Sequence, residues 1–110
     1  MKKTIVPGIA IFIMICLPLT AMAKRTPEEK LMRKSGCFKC HAVNKKKKGP
    51  SYKSLAEKYD IGDAAKIDEL IIHITTGPEV EVEGKMEIHK KIKTDDPAVQ
   101  RKVIEWVLSR

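Results

Sequence analysis

Cys37-Phe38-Lys39-Cys40-His41 places two thiols three positions apart and an imidazole on the next residue. This C-x-x-C-H spacing is the signature of covalent c-type haem attachment. Two thiols add across the two vinyl groups of a haem, and a two-residue spacer lets one turn of chain reach both. An imidazole that follows at once is aimed by the same turn at the iron, as the proximal ligand. Two other uses of such a pair fit poorly. A zinc site needs further ligands, and the chain has no second Cys pair to supply them. A dithiol redox centre calls for a βαβ context that the surrounding sequence lacks. The residues therefore predict one haem c, bonded to Cys37 and Cys40, with His41 on its iron.

The elements that would position this motif occupy residues 24–110. Before them, Lys2 and Lys3 lead into an apolar run from Ile5 to Leu19, broken by Pro7, Gly8 and Pro18. Ala21-Met22-Ala23 follows with the small residues that a signal peptidase accepts. The run is shorter than the ~20 residues that cross a bilayer. Residues 1–23 are thus expected to be a cleaved secretory signal peptide, and 24–110 the folded domain, with no stable membrane insertion after cleavage. The third cysteine, Cys16, is removed with the leader. A domain this small has a thin core, and with both remaining thiols consumed it has no disulfide to brace it. Two thioether bonds and an enclosed macrocycle would take that role, so the haem-free chain is expected to fold poorly.

Charge points toward partners. The formal net charge of the chain is +8, and only two of its basic residues fall in the leader. Such a surplus acts on association and solubility, not on fold. Nucleic acid is not expected as the partner, given export and the scarcity of aromatic residues for base stacking.

Helix signals then frame the motif. Thr26-Pro27-Glu28-Glu29 reads as a cap, a proline at the first helical position and a glutamate three residues after the cap. That helix should run to about Ser35 and end at Gly36. Pro50-Ser51 opens a short helix through Leu55 to Tyr59. Asp63 caps another, where Ile67, Leu70, Ile71 and Ile74 recur at helical spacing until Gly77-Pro78 stops it. Residues 77–94 read as an irregular loop. Thr94-Asp95-Asp96-Pro97 restarts helix with acidic residues at the positive end of its dipole, and Val99, Val103, Trp106 and Val107 make its apolar stripe. No convincing alternating strand appears, which predicts an all-α chain.

This order of parts resembles a small bacterial class I monohaem cytochrome c over residues 27–109. The resemblance rests on the haem motif, on Gly49-Pro50-Ser51, on Leu55-Ala56-Glu57-Lys58-Tyr59, and on a closing helix with Trp106-Val107-Leu108. It implies the class I fold, about four helices around one covalently bound haem, with the first and last helices crossing near Leu31 and Trp106. It implies that the Pro50 carbonyl accepts the second ring N–H of His41 and so fixes its tautomer. Trp106 is expected as a core anchor.

After His41 the candidates for a sixth ligand are His73, Met86 and His89. The family places its axial methionine where Met86 stands. A thioether is soft, favours ferrous iron and raises the potential. Relatives usually follow that methionine with prolines, whereas here Glu87-Ile88-His89 follows. The bond is therefore expected to be more labile, and His89 could compete for the iron. In the family fold, Lys45, Lys46, Lys47 and Lys48 and, from the Met86 loop, Lys85, Lys90, Lys91 and Lys93 border the exposed haem edge. The expected role is docking to an acidic face on a redox protein. The function implied is an exported, periplasmic single-electron carrier with no catalytic residues, a monomer with a dimer left open. The alternatives are an electron-transfer subunit of a larger oxidoreductase complex and, further off, a haem protein that binds nitric oxide or carbon monoxide.

Overall fold

In the computed structural model of the chain, residues 8–11, 13, 15 and 24–110 are described. The expected cleavage point after Ala23 lies outside them. Among the described residues, no helix is long and apolar enough to cross a membrane.

Helix α1 spans Pro27–Lys34. The Thr26 side chain accepts a hydrogen bond from the Glu29 backbone N–H at 3.2 Å, and Pro27 occupies the first turn, where its missing N–H is no loss. Gly36, at φ +82°, turns the chain out of the helix into a 3-10 turn, Cys37–Lys39. Helix α2 spans Tyr52–Lys58 under a Ser51 cap, and α3 spans Ala64–Thr76 between an Asp63 cap and left-handed Gly77. Helix α4 spans Pro97–Leu108, with Asp96 accepting from the Ala98 N–H at 2.9 Å.

Helix α4 is the hub against which α1, α2 and α3 all pack. It buries Val103, Ile104, Val107 and Leu108 against Met32 of α1, Tyr52 of α2, Ile67 of α3 and Ile92. Leu31 and Trp106 flank this cluster from α1 and α4, as the helix crossing requires. Ser35, itself buried, accepts a 2.9 Å hydrogen bond from the Lys93 N–H, which ties the end of α1 to the approach of α4.

The helical fold is as expected, but the loop after α3 needs one correction. Residues 77–94 are not irregular throughout: strands β1 (Glu79–Val82) and β2 (Lys85–Ile88) pair antiparallel, with Glu81 opposite Met86 and Val82 opposite Lys85. Glu83 and Gly84 both have positive φ, +50° and +80°, the geometry of the tight hairpin turn whose twist suits the flanking strands. Val80 and Val82 are half-buried, while Glu79 and Glu81 are exposed. The hairpin has an inner apolar face on β1 but, among the described residues, packs against no helix as the helices pack on α4.

Candidate haem site

The 3-10 turn gathers the motif. The Cys37 carbonyl accepts from the N–H groups of both Cys40 and His41, at 3.2 and 3.0 Å, so all three side chains leave one tight turn of backbone. Cys37, Cys40 and His41 line one wall of the same cavity. Both thiols are free, and burial raises the pKa of Cys37, keeping it protonated.

His41 is fixed from three sides. Its Nδ1 donates to the Pro50 carbonyl at 2.7 Å. A carbonyl can only accept, so Nδ1 carries the proton and Nε2 is left with its lone pair. The Tyr52 ring stacks on the imidazole with centroids 5.3 Å apart and planes 20° apart. Gly49 closes the other approach: a Cβ there would fall 2.5 Å from His41 Cε1. The Gly49 N–H also donates to the Cys40 carbonyl at 2.7 Å, which closes the lysine-rich loop back onto the motif.

Two adjoining cavities of about 220 and 280 Å³ meet at this wall, with Cys37, His41, His73, His89 and Lys90 lining both. The first runs into the core past Met32, Leu70 and Ile104; the second opens under Val80 and Val82 of the hairpin. The Tyr52 hydroxyl is buried and has no hydrogen-bond partner among the described residues. Burial of such a donor is costly unless an acceptor reaches it. Two adjacent thiols, an imidazole with a bare Nε2, apolar walls and one buried donor fit a flat macrocycle with polar substituents at one edge.

The predicted site residues divide into two groups. Cys37, Cys40, His41 and Pro50 come together. Met86 does not join them: it lies on the outer face of β2 opposite Glu81, is 62 % exposed, and lines neither cavity. His89, just past β2, is brought in instead, with its ring 6.2 Å from that of His41 and 4.4 Å from that of His73. Burial lowers the pKa of both His73 and His89, with His41 adding to the effect on His73 and His73 on His89, which favours the neutral form of both rings. Lys45, Lys46, Lys48, Lys85, Lys90 and Lys91 are exposed and form no ion pair among the described residues. Lys47 is also exposed, but its ammonium donates to the Phe38 carbonyl at 2.7 Å and so braces the motif. The stacking of Tyr52 on His41 and the convergence of three histidines were not foreseen; the Gly49-Pro50-Ser51-Tyr52 run was the available signal for the first.

Four helices around a cavity walled by C-x-x-C-H define a class I cytochrome c site. Comparison with known proteins agrees. No protein-family profile matches the chain. It is 35 % identical to cytochrome c-551 of Pseudomonas aeruginosa over 82 residues, 74 % of this chain and 75 % of that protein. It is also 35 % identical to cytochrome c-552 of Hydrogenobacter thermophilus over 81 residues, 74 % of this chain and 79 % of the relative. Among solved structures, the class 1 cytochrome MtoD of Sideroxydans lithotrophicus superimposes with a TM-score of 0.68 at 42 % identity, covering 74 % of this chain and 90 % of MtoD. Cytochrome c552 of Nitrosomonas europaea, at 24 % identity and a TM-score of 0.57, supports the fold alone. The chain belongs to the small class I monohaem cytochromes c. Its cofactor is one covalently bound haem c, and it is an electron carrier working with redox partners, not an enzyme.

Proposed function

We propose that this chain is an exported electron shuttle of the periplasm, whose residues 1–23 are removed as a signal peptide and whose residues 24–110 form the working domain. Cys37 and Cys40 hold the haem through thioethers, and His41 is the proximal ligand. Haem iron supplies the chemistry by gaining and losing one electron between its ferrous and ferric forms. The protein's own residues attach, orient and enclose it. One observation carries this reading: His41 commits Nδ1 to Pro50 at 2.7 Å beside both thiols, which leaves Nε2 as the free donor. A hydrogen bond to the far nitrogen fixes ring orientation and strengthens the ligating one.

Met86 is the proposed sixth ligand. Its place in the chain matches the family's axial methionine, and a thioether opposite an imidazole favours the reduced state. The outer position of Met86 means that β2 must roll to present it. Support for such a roll comes from the hairpin's thin attachment. Its anchors are the His89 N–H to the Pro78 carbonyl and, beyond it, the Ile92 N–H to the Ile74 carbonyl, both 2.9 Å. A lone two-stranded hairpin is marginally stable in water, so its rearrangement opposes ligation weakly.

Lys45, Lys46, Lys47, Lys48, Lys85, Lys90 and Lys91 are the proposed docking residues for an acidic face on a redox partner. Lys48 and Lys90 border the cavity mouth beneath the hairpin, which places charge where electrons would leave. The proposed working form is a monomer. The test is spectroscopic: oxidised wild-type protein should be low-spin with the weak red charge-transfer band of a thioether–iron bond, and Met86→Ala should lose that band. A wild-type spectrum without it overturns the Met86 assignment.

A further inference from the structure

His89 shares with His41 several features that suit an imidazole to bind iron. Its Nδ1 donates to the Lys90 carbonyl at 2.8 Å, as that of His41 does to Pro50, so Nε2 is bare on both rings. Both rings line both cavities, and their centroids lie 6.2 Å apart with planes tilted by 51°. Metal–imidazole bonds of about 2 Å put the centres of two rings on opposite sides of one metal roughly 6 Å apart. The two rings therefore stand at a separation that would suit two imidazoles held to one metal. The ring of His73 on α3 meets it edge-on at 4.4 Å and backs its position.

We propose that the distal side of this haem is a two-ligand site, in which His89 Nε2 takes the iron whenever the Met86 thioether is withdrawn. This rests on the reading of Met86 as the resident ligand. In the exchange one iron–sulfur bond would break and one iron–nitrogen bond would form with no electron transferred; the His89 proton stays on Nδ1 against the Lys90 carbonyl, and Nε2 brings its lone pair. Met86 is the second residue of β2 and His89 the first beyond it, three positions apart and so on opposite faces of the extended chain, and a roll of β2 that withdrew one would bring in the other. The two states differ in potential, since replacement of thioether by imidazole removes the ligand that raises it. A carrier built this way has a high-potential and a low-potential form, selected by the hairpin.

The test uses haem-loaded wild type, Met86→Leu, Met86→Ala, His89→Ala and the Met86→Ala/His89→Ala double variant. Absorption spectra and reduction potentials are read for each, with covalent haem content and helix content as checks on folding. Met86 is exposed, so its substitution leaves the core intact, and the leucine variant keeps its bulk. Both single Met86 variants should lose the red band, stay six-coordinate and low-spin, and fall in potential. The double variant should turn high-spin. A high-spin spectrum already in Met86→Leu and Met86→Ala overturns the proposal while leaving Met86 as the ligand. A wild type that is low-spin without the red band, and that turns high-spin in His89→Ala, instead overturns the Met86 reading and assigns the distal position to His89.

Discussion

His41 is held more tightly than a sequence motif alone requires. The Pro50 carbonyl accepts a hydrogen bond from its Nδ1–H, Tyr52 stacks on its face and Gly49 leaves room for its edge. Gly49→Ala should push the ring off its hydrogen bond, because the added methyl would sit 2.5 Å from Cε1. Overpacking of this kind costs about 1–3 kcal/mol. Urea unfolding of the haem-loaded variant should show a lowered midpoint with an unchanged slope; an unchanged midpoint would mean that the ring has slack. Cys37, Cys40 and His41 could be singled out because covalent chemistry demands residue types at fixed short spacing, whereas Pro50 came only from the resemblance to the family. His89 was visible only as a competitor, since its approach depends on how β2 enters the body of the protein. No local pattern encodes that entry.

At the scale of elements, the helices were readable because each carries its own punctuation. Thr26, Ser51, Asp63 and Asp96 all cap as expected, and Gly77 ends α3 in the left-handed conformation. The hairpin was missed although Glu79-Val80-Glu81-Val82 alternates with period two. Each strand has four residues, and the turn uses Glu83-Gly84 in place of the stronger Asn-Gly or Asp-Gly signal. The stripe on α4 was also read too narrowly. Ile104 and Leu108 are buried with Val103 and Val107, because α4 meets three helices and needs a wider apolar face than one contact would. The joint between α1 and α4 can be tested through Met32, which is 2 % exposed. Met32→Ala should cost about 2–5 kcal/mol, the range for deleting a buried large side chain. Loss of that size would appear in thermal or urea unfolding, whereas a cost below 1 kcal/mol would mean that the core collapses around the gap.

For the whole molecule, charge and cofactor matter more than any single contact. Steering of a partner by the exposed lysines, as proposed, would weaken as salt shortens the range of the field. Electron transfer to an acidic redox partner should slow steeply with ionic strength, and Lys45→Glu/Lys46→Glu should flatten that dependence. Rates indifferent to salt would remove the docking role. Removal of haem tests a second whole-molecule expectation. The apolar walls around His41 are shared by all four helices' core, so the haem-free chain should lose the cooperative melting of the loaded form. A haem-free chain that melts as sharply as the loaded one would contradict it.

What must hold is a single haem bonded to Cys37 and Cys40 and gripped by His41 opposite a second protein ligand. Absorption spectra of the purified protein, oxidised and then reduced, test it most directly when read before and after acid–acetone extraction. The haem should be low-spin and six-coordinate in both states, with pigment that stays with the protein. Haem that passes into the solvent, or a high-spin spectrum with an open iron, would contradict it.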